Sequence, residues 1–123
     1  MEERLGKVTI APQVLLTIAR LTTLAVPGVA CMGPTLVGDL SRWLRRQRLN
    51  EGIDVRVEDD IVYIDLYIIA EPNVNLLELG RQIQHDVERA IHHMLGMHVG
   101  EVNIHVQDVT PPSMERQAKE EAE

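Results

Sequence analysis

Residues 53–70 read IDVRVEDDIVYIDLYIIA, and the fold is decided there. Ile53, Val55 and Val57 alternate with Asp54, Arg56 and Glu58, the two-residue period of a strand with one wet face. Glu58-Asp59-Asp60 supplies a tight reversal. The strand that follows, from Ile61 to about Ala70, is apolar on both sides. Val62, Ile64, Leu66 and Ile68 take one face; Ile61, Tyr63, Tyr67 and Ile69 take most of the other, interrupted by Asp65. Such a strand belongs in the centre of a sheet with each face covered, or it offers one face to a partner.

On the C-terminal side, Pro72-Asn73-Val74-Asn75 closes the strand and opens a long helix. Asn75 and Glu78 have the spacing of a capping box, with Asn73 as the other candidate cap. Leu76, Leu79, Ile83, Val87, Ala90, Ile91 and Met94 form its apolar stripe, and Gly96 is placed to end it in left-handed geometry. A last strand runs from Glu101 to Val109, with Val102, Ile104 and Val106 inward and Asn103, His105 and Gln107 outward.

On the N-terminal side, Lys7-Val8-Thr9-Ile10 has strand alternation. Pro12 suits the first turn of a helix. The helix carries Val14, Ile18, Leu21 and Ala25 at helical spacing, widened by Leu15 and Ala19, and stops before Pro27-Gly28. Val29 to Pro34 reads as a packed apolar connector. Between it and residue 53, Leu36, Leu40, Trp43 and Leu44 share one helical face, with Arg42, Arg45, Arg46 and Arg48 around the far end.

The expected class is therefore α+β: a split β-α-β-β-α-β domain whose four-stranded mixed sheet carries its helices on one face. An extra basic helical segment lies between the first helix and the second strand. One domain spans residues 5–109. The polar tail, residues 110–123, contains Pro111-Pro112 and little to bury, and is expected to be disordered.

Composition narrows function. The 123 residues fit one core, and 45% hydrophobic content is ample to build it. That content is aliphatic: there is no Phe, and Trp43, Tyr63 and Tyr67 are the only aromatics, so the stacking platforms of single-strand nucleic-acid binders are scarce. A net charge of -7 repels phosphate on average. The single cysteine, Cys31, excludes an intrachain disulfide and points to a reducing compartment. No apolar run reaches the length of a membrane span, and residues 1–6 lack the pattern of a signal peptide.

Catalytic constellations are incomplete. His85, Glu88 and His92 have helical spacing for metal ligands, but without a zincin motif or cysteine cluster they read as a solvated helix face. Cys31, between Ala30 and Met32, reads as a small buried hydrophobe rather than a nucleophile. The serines lack a nucleophile elbow, and Gly33 to Gly38 lacks the lysine of a phosphate loop. No catalytic, cofactor or metal residues are assigned. The features left over are adhesive: Tyr63 and Tyr67 on an apolar sheet face, and Trp43 with Arg42, Arg45, Arg46 and Arg48. The basic segment suits a protein partner, an acidic surface of another copy, or, as the alternative, nucleic acid.

Several blocks together resemble the alkaline shock protein family of the bacterial envelope stress response. They are Gly6-Lys7-Val8-Thr9-Ile10, Val14, Ile18-Ala19 and Val26-Pro27-Gly28-Val29, then the strand from Val62 to Ala70, Asn73, Leu76, Val87, Ala90, Gly96 and Val102-Asn103-Ile104-His105-Val106. The resemblance covers about residues 5–109. It departs at Ala11, where a polar capping residue is common, and in the arginines of residues 42–48. It implies a non-enzymatic structural or adaptor protein, cytoplasmic, self-associating into homo-oligomers, and recruited to the inner face of the membrane through a membrane-anchored protein. A dihydroxyacetone-kinase-like protein is a further partner it suggests.

Overall fold

A computed structural model of the chain describes residues 5–34 and 52–110. Six elements follow in order: α1 (Pro12–Ala25), β1 (Val29–Met32), β2 (Ile53–Glu58), β3 (Ile61–Ala70), α2 (Leu76–Leu95) and β4 (His98–Val109). The α+β class and the four-stranded sheet stand, and the sheet is mixed: β1 and β2 pair antiparallel with β3, whereas β4 pairs parallel with it.

The hairpin forms as its sequence dictates. Glu58 faces Ile61 across a two-residue loop in which Asp59 and Asp60 have φ of 52° and 65°. Positive φ at both central positions is the geometry that matches strand twist, and aspartate tolerates it better than most residues. Asn75 is the cap of α2, its Oδ1 accepting from the Glu78 N–H at 3.0 Å, and Gly96 ends the helix at φ 71°. Along α2, Leu79, Ile83, Val87 and Ile91 recur every fourth residue and are buried in one core with Val62, Ile64, Leu66, Ile68 and Ala70 of β3. Each such side chain contributes about 1.5–3 kcal/mol on full burial.

Two placements differ from the sequence reading. Lys7–Ile10 is not a strand; among the described residues it pairs with nothing, and Val8 is 91% exposed. The fourth strand is instead Val29–Met32, which had the look of a connector, so the order along the chain is α-β-β-β-α-β. Both sides of β3 are already filled. β4 runs the whole length of one side of β3, while β2 takes Ile61–Leu66 on the other and β1 takes Ile68–Ala70, so the two short strands lie end to end. The segment leaving α1 takes that half-edge, its register fixed by the Glu71 N–H donating to the Gly28 carbonyl at 2.8 Å.

The buried stripe of α1 is also rotated: Leu15, Ile18, Ala19 and Thr23 face inward, and Leu21 is 60% exposed. Thr23 can occupy the core because its hydroxyl donates to the Ala19 carbonyl at 2.7 Å. α1 lies over β1 and β2 and against α2, which covers β4. Both helices thus share one face of the sheet. At the end of β4, Thr110 is buried with its N–H donating to the Ala70 carbonyl at 2.9 Å. The basic segment and residues 111–123 lie outside the described residues.

Candidate interaction surface

The side chains of β3 that point away from the helices are Ile61, Tyr63, Asp65, Tyr67 and Ile69, all half-buried. Their flanks come from register. Tyr63 stands between Arg56 and Glu101, Asp65 between Asp54 and Asn103, Tyr67 beside His105, and Ile69 beside Cys31. No helix covers this face among the described residues, so an apolar strand interior is left facing outward.

Specific contacts order it. The Arg56 guanidinium sits 4.7 Å from the centre of the Tyr63 ring, and its Nε reaches Glu58 at 2.8 Å. The Tyr63 ring leans over Gly100: a Cβ there would lie 2.7 Å from Tyr63 Cε1, so only glycine leaves the ring its place. Tyr67 stacks on His105 with centroids 4.5 Å apart and planes 14° from parallel, and His105 Nε2 meets Asp65 Oδ1 at 2.9 Å. Two carboxylates, Asp54 and Asp65, oppose each other across the ladder, an unfavourable pairing that His105 can relieve. Partial burial first, then the charges of Asp65 and Asp54, push the Tyr67 phenol above its ordinary pKa.

Tyr67 is also where β1 ends and β2 begins. Its carbonyl accepts from the Gly33 N–H at 2.7 Å and its own N–H donates to the Gly52 carbonyl at 2.8 Å. The described residues on the two sides of residues 35–51 are therefore held at one point on β3. Gln107 reaches across from β4 to the same spot, its Nε2 donating to the Pro34 carbonyl at 2.8 Å while its Oε1 is buried against Gly33 with no hydrogen-bond partner among the described residues.

Tyr63 and Tyr67 thus share one surface, as their common parity on the strand requires. Trp43, Arg42, Arg45, Arg46 and Arg48 are outside the described residues, which resume at Gly52 beside Tyr67. Asp65, His105, Gly33, Gly52, Gly100 and Gln107 were missed by sequence reasoning. The parity of His105 alone was a usable signal; its pairing with Tyr67 needed the parallel register of β4.

The arrangement offers little to catalysis. His105 and Asp65 could orient a base, but Tyr67 lies flat on the imidazole instead of donating to it. Cys31 is exposed on the outer face rather than buried, and desolvation pushes its thiol pKa up, against activation. His85, Glu88 and His92 are all exposed on α2, where His92 meets His98 with ring centroids 5.8 Å apart. Among the described residues no three His, Cys, Asp or Glu side chains are grouped to hold a metal. A shallow groove between α1 and α2, lined by Thr22, Val26, Arg89 and His93 among others, lies on the helical side of the molecule. No helix of the described residues is long and apolar enough to cross a membrane.

Among known proteins, a family model for alkaline shock protein 23, described as having cell envelope-related function, matches residues 1–111. The uncharacterised Bacillus subtilis (strain 168) protein YqhY is 28% identical over 105 residues, covering 85% of this chain and 78% of YqhY. A second uncharacterised protein of that strain, YloU, is 26% identical over 111 residues, covering 89% of this chain and 92% of its own length. Among solved structures, two of the MamM CTD have TM-scores of 0.47 and 0.48 at 14% and 12% identity. They cover 78% and 80% of this chain and 95% and 99% of their own.

Proposed function

Because this chain belongs to the alkaline shock protein 23 family, whose function is cell envelope-related, we propose that it is a non-enzymatic structural or adaptor protein acting by self-association and protein binding through the outer face of its sheet. The observation that carries this reading is the uncovered outer side of β3. Ile61, Tyr63, Tyr67 and Ile69 present apolar area there, and removing it from water against a partner is favourable at about 25 cal/mol per Å2. The ordered polar groups among them, Arg56, Asp65 and His105, give such a contact direction and register. We also assign partner binding to Trp43, Arg42, Arg45, Arg46 and Arg48, a reading supported by the described residues on either side of them, since Gly33 and Gly52 both bond to the backbone of Tyr67.

The first partner is a second copy of the chain. Beyond it we place a membrane-anchored protein that holds the assembly at the inner face of the cell membrane, with the chain itself cytoplasmic. A dihydroxyacetone-kinase-like protein is a further partner in this scheme. The test is light scattering of the full chain at micromolar concentration, comparing wild type with Tyr63→Glu and Tyr67→Glu. Oligomers that dissociate in both variants support the reading. A strictly monomeric wild type, together with affinity capture that retains no protein from the native cell, overturns it.

A further inference from the structure

Gly6–Ile10 and β4 each lack something the other supplies. Lys7-Val8-Thr9-Ile10 has the alternation and the β-branched content of a strand, yet it pairs with no described strand, and Val8 is 91% and Ile10 49% exposed. An extended segment with solvent on its apolar side gains by finding an edge. β4, in turn, pairs with β3 alone among the described residues, so its other side presents N–H and C=O groups along the sheet border. Irregularities interrupt the β3–β4 register near Gly100 and Gln107, and between them Glu101–Val106 runs as a regular strand, long enough to receive four residues.

The faces match. In β4, Glu101, Asn103 and His105 lie on the outer side, and Val102, Ile104 and Val106 on the helix side, where Ile104 and Val106 are only half-buried. A strand laid beside it with Val8 and Ile10 on the helix side extends that apolar layer, and sets Lys7 and Thr9 beside Glu101 and Asn103. Lys7 meets an acid there. The outer edge of β2 is a poorer receiver, since Asp54, Arg56 and Glu58 line it with charge and the Arg56–Glu58 ion pair guards it. α1 starts two residues after Ile10 and lies over β1 and β2, away from the β4 side. The helix that the segment leads into is thus anchored on the half of the sheet opposite the β4 edge.

We propose that Gly6–Ile10 of one copy adds as a strand to the free edge of β4 in a second copy, by the main-chain pairing that serves peptide recognition elsewhere. The proposal rests on the self-association reading but uses a surface separate from Tyr63 and Tyr67. Donor and receiver are different patches, so the contact is head-to-tail and continues from copy to copy unless the rotation closes a ring.

The experiment is disulfide trapping between differently tagged full-length chains, both carrying Cys31→Ser. One chain bears Thr9→Cys; the other bears Glu101→Cys, Asn103→Cys, His105→Cys or Ile104→Cys, with Asn73→Cys, at an exposed turn, as the background. At least one outer-face position is expected to trap roughly tenfold more cross-linked pair than Asn73→Cys, with Ile104→Cys at background. Adding Val8→Pro to the donor removes an N–H and should abolish the gain; Val8 lies outside the core, so circular dichroism should be unchanged. Trapping at background everywhere, trapping without preference for the outer face, trapping within one chain, or indifference to Val8→Pro overturns the proposal. If light scattering then still shows oligomers sensitive to Tyr67→Glu, the outer-face reading survives alone.

Discussion

Replacing Gly52 by alanine probes the junction at Tyr67 with an internal control. Gly52 is buried with φ +79°, and a Cβ there would lie 2.8 Å from the Gly33 carbonyl oxygen, 2.9 Å from Met32 Cβ and 3.1 Å from the Tyr67 carbonyl oxygen. Gly96 has nearly the same backbone, φ +71°, and nothing within 4 Å of an added Cβ. Gly96→Ala therefore isolates the left-handed penalty, about 1–2 kcal/mol. Gly52→Ala adds overpacking of about 1–3 kcal/mol. The opposing oxygens are backbone atoms of the paired strands and cannot retreat without loosening the ladder at Tyr67. Gly52→Ala should thus lose about 2–5 kcal/mol in all. In equilibrium urea unfolding at one fixed protein concentration, its midpoint should fall roughly 1 M below that of Gly96→Ala. Equal losses for the two variants would refute the claim that the junction is sterically closed.

Ile18→Ala should cost about 2–4 kcal/mol and Leu21→Ala under about 0.5 kcal/mol by urea unfolding, because only Ile18 is in the core; a larger loss for Leu21 would restore the helix phase read from the sequence. In Tyr63→Phe protein, phenolate absorbance reports Tyr67 alone, and its midpoint should lie above the ordinary value of about 10. Since the folded pKa is the higher one, the linked stability is fully present below about pH 10 and is lost as pH rises through the folded pKa. A midpoint at or below the ordinary value would contradict the placement of Tyr67 beside Asp65 and Asp54.

The elements that were legible in the sequence are those whose signals are local. The hairpin of β2 and β3 follows from alternation on either side of Asp59-Asp60, and α2 from Asn75, its apolar stripe and Gly96. Lys7–Ile10 and Val29–Met32 exchanged roles because alternation measures readiness to pair and not the presence of a free edge. Val29-Ala30-Cys31-Met32 is too short, and too closely bounded by Gly28 and Gly33, to show a period. The phase of α1 was misread because Thr23 counts as polar until its bond to Ala19 is seen. Tyr63 and Tyr67 could be assigned to one face by counting along β3. The stacking of Tyr67 on His105 and the bond of His105 to Asp65 depend on which strand lies beside β3 and in what register, which no local pattern encodes.

The junction at Tyr67 also separates two design problems. Because Gly33 and Gly52 are both tied to the backbone of one residue, β1 and β2 meet at one fixed point on β3, whatever segment joins them. Its length and composition can drift without disturbing the strands, since halving or doubling a closed loop changes its closure cost by only about 0.6 kcal/mol. The scaffold can keep its core while the residues mounted at that socket, here rich in arginine, are exchanged for others that suit a different neighbour.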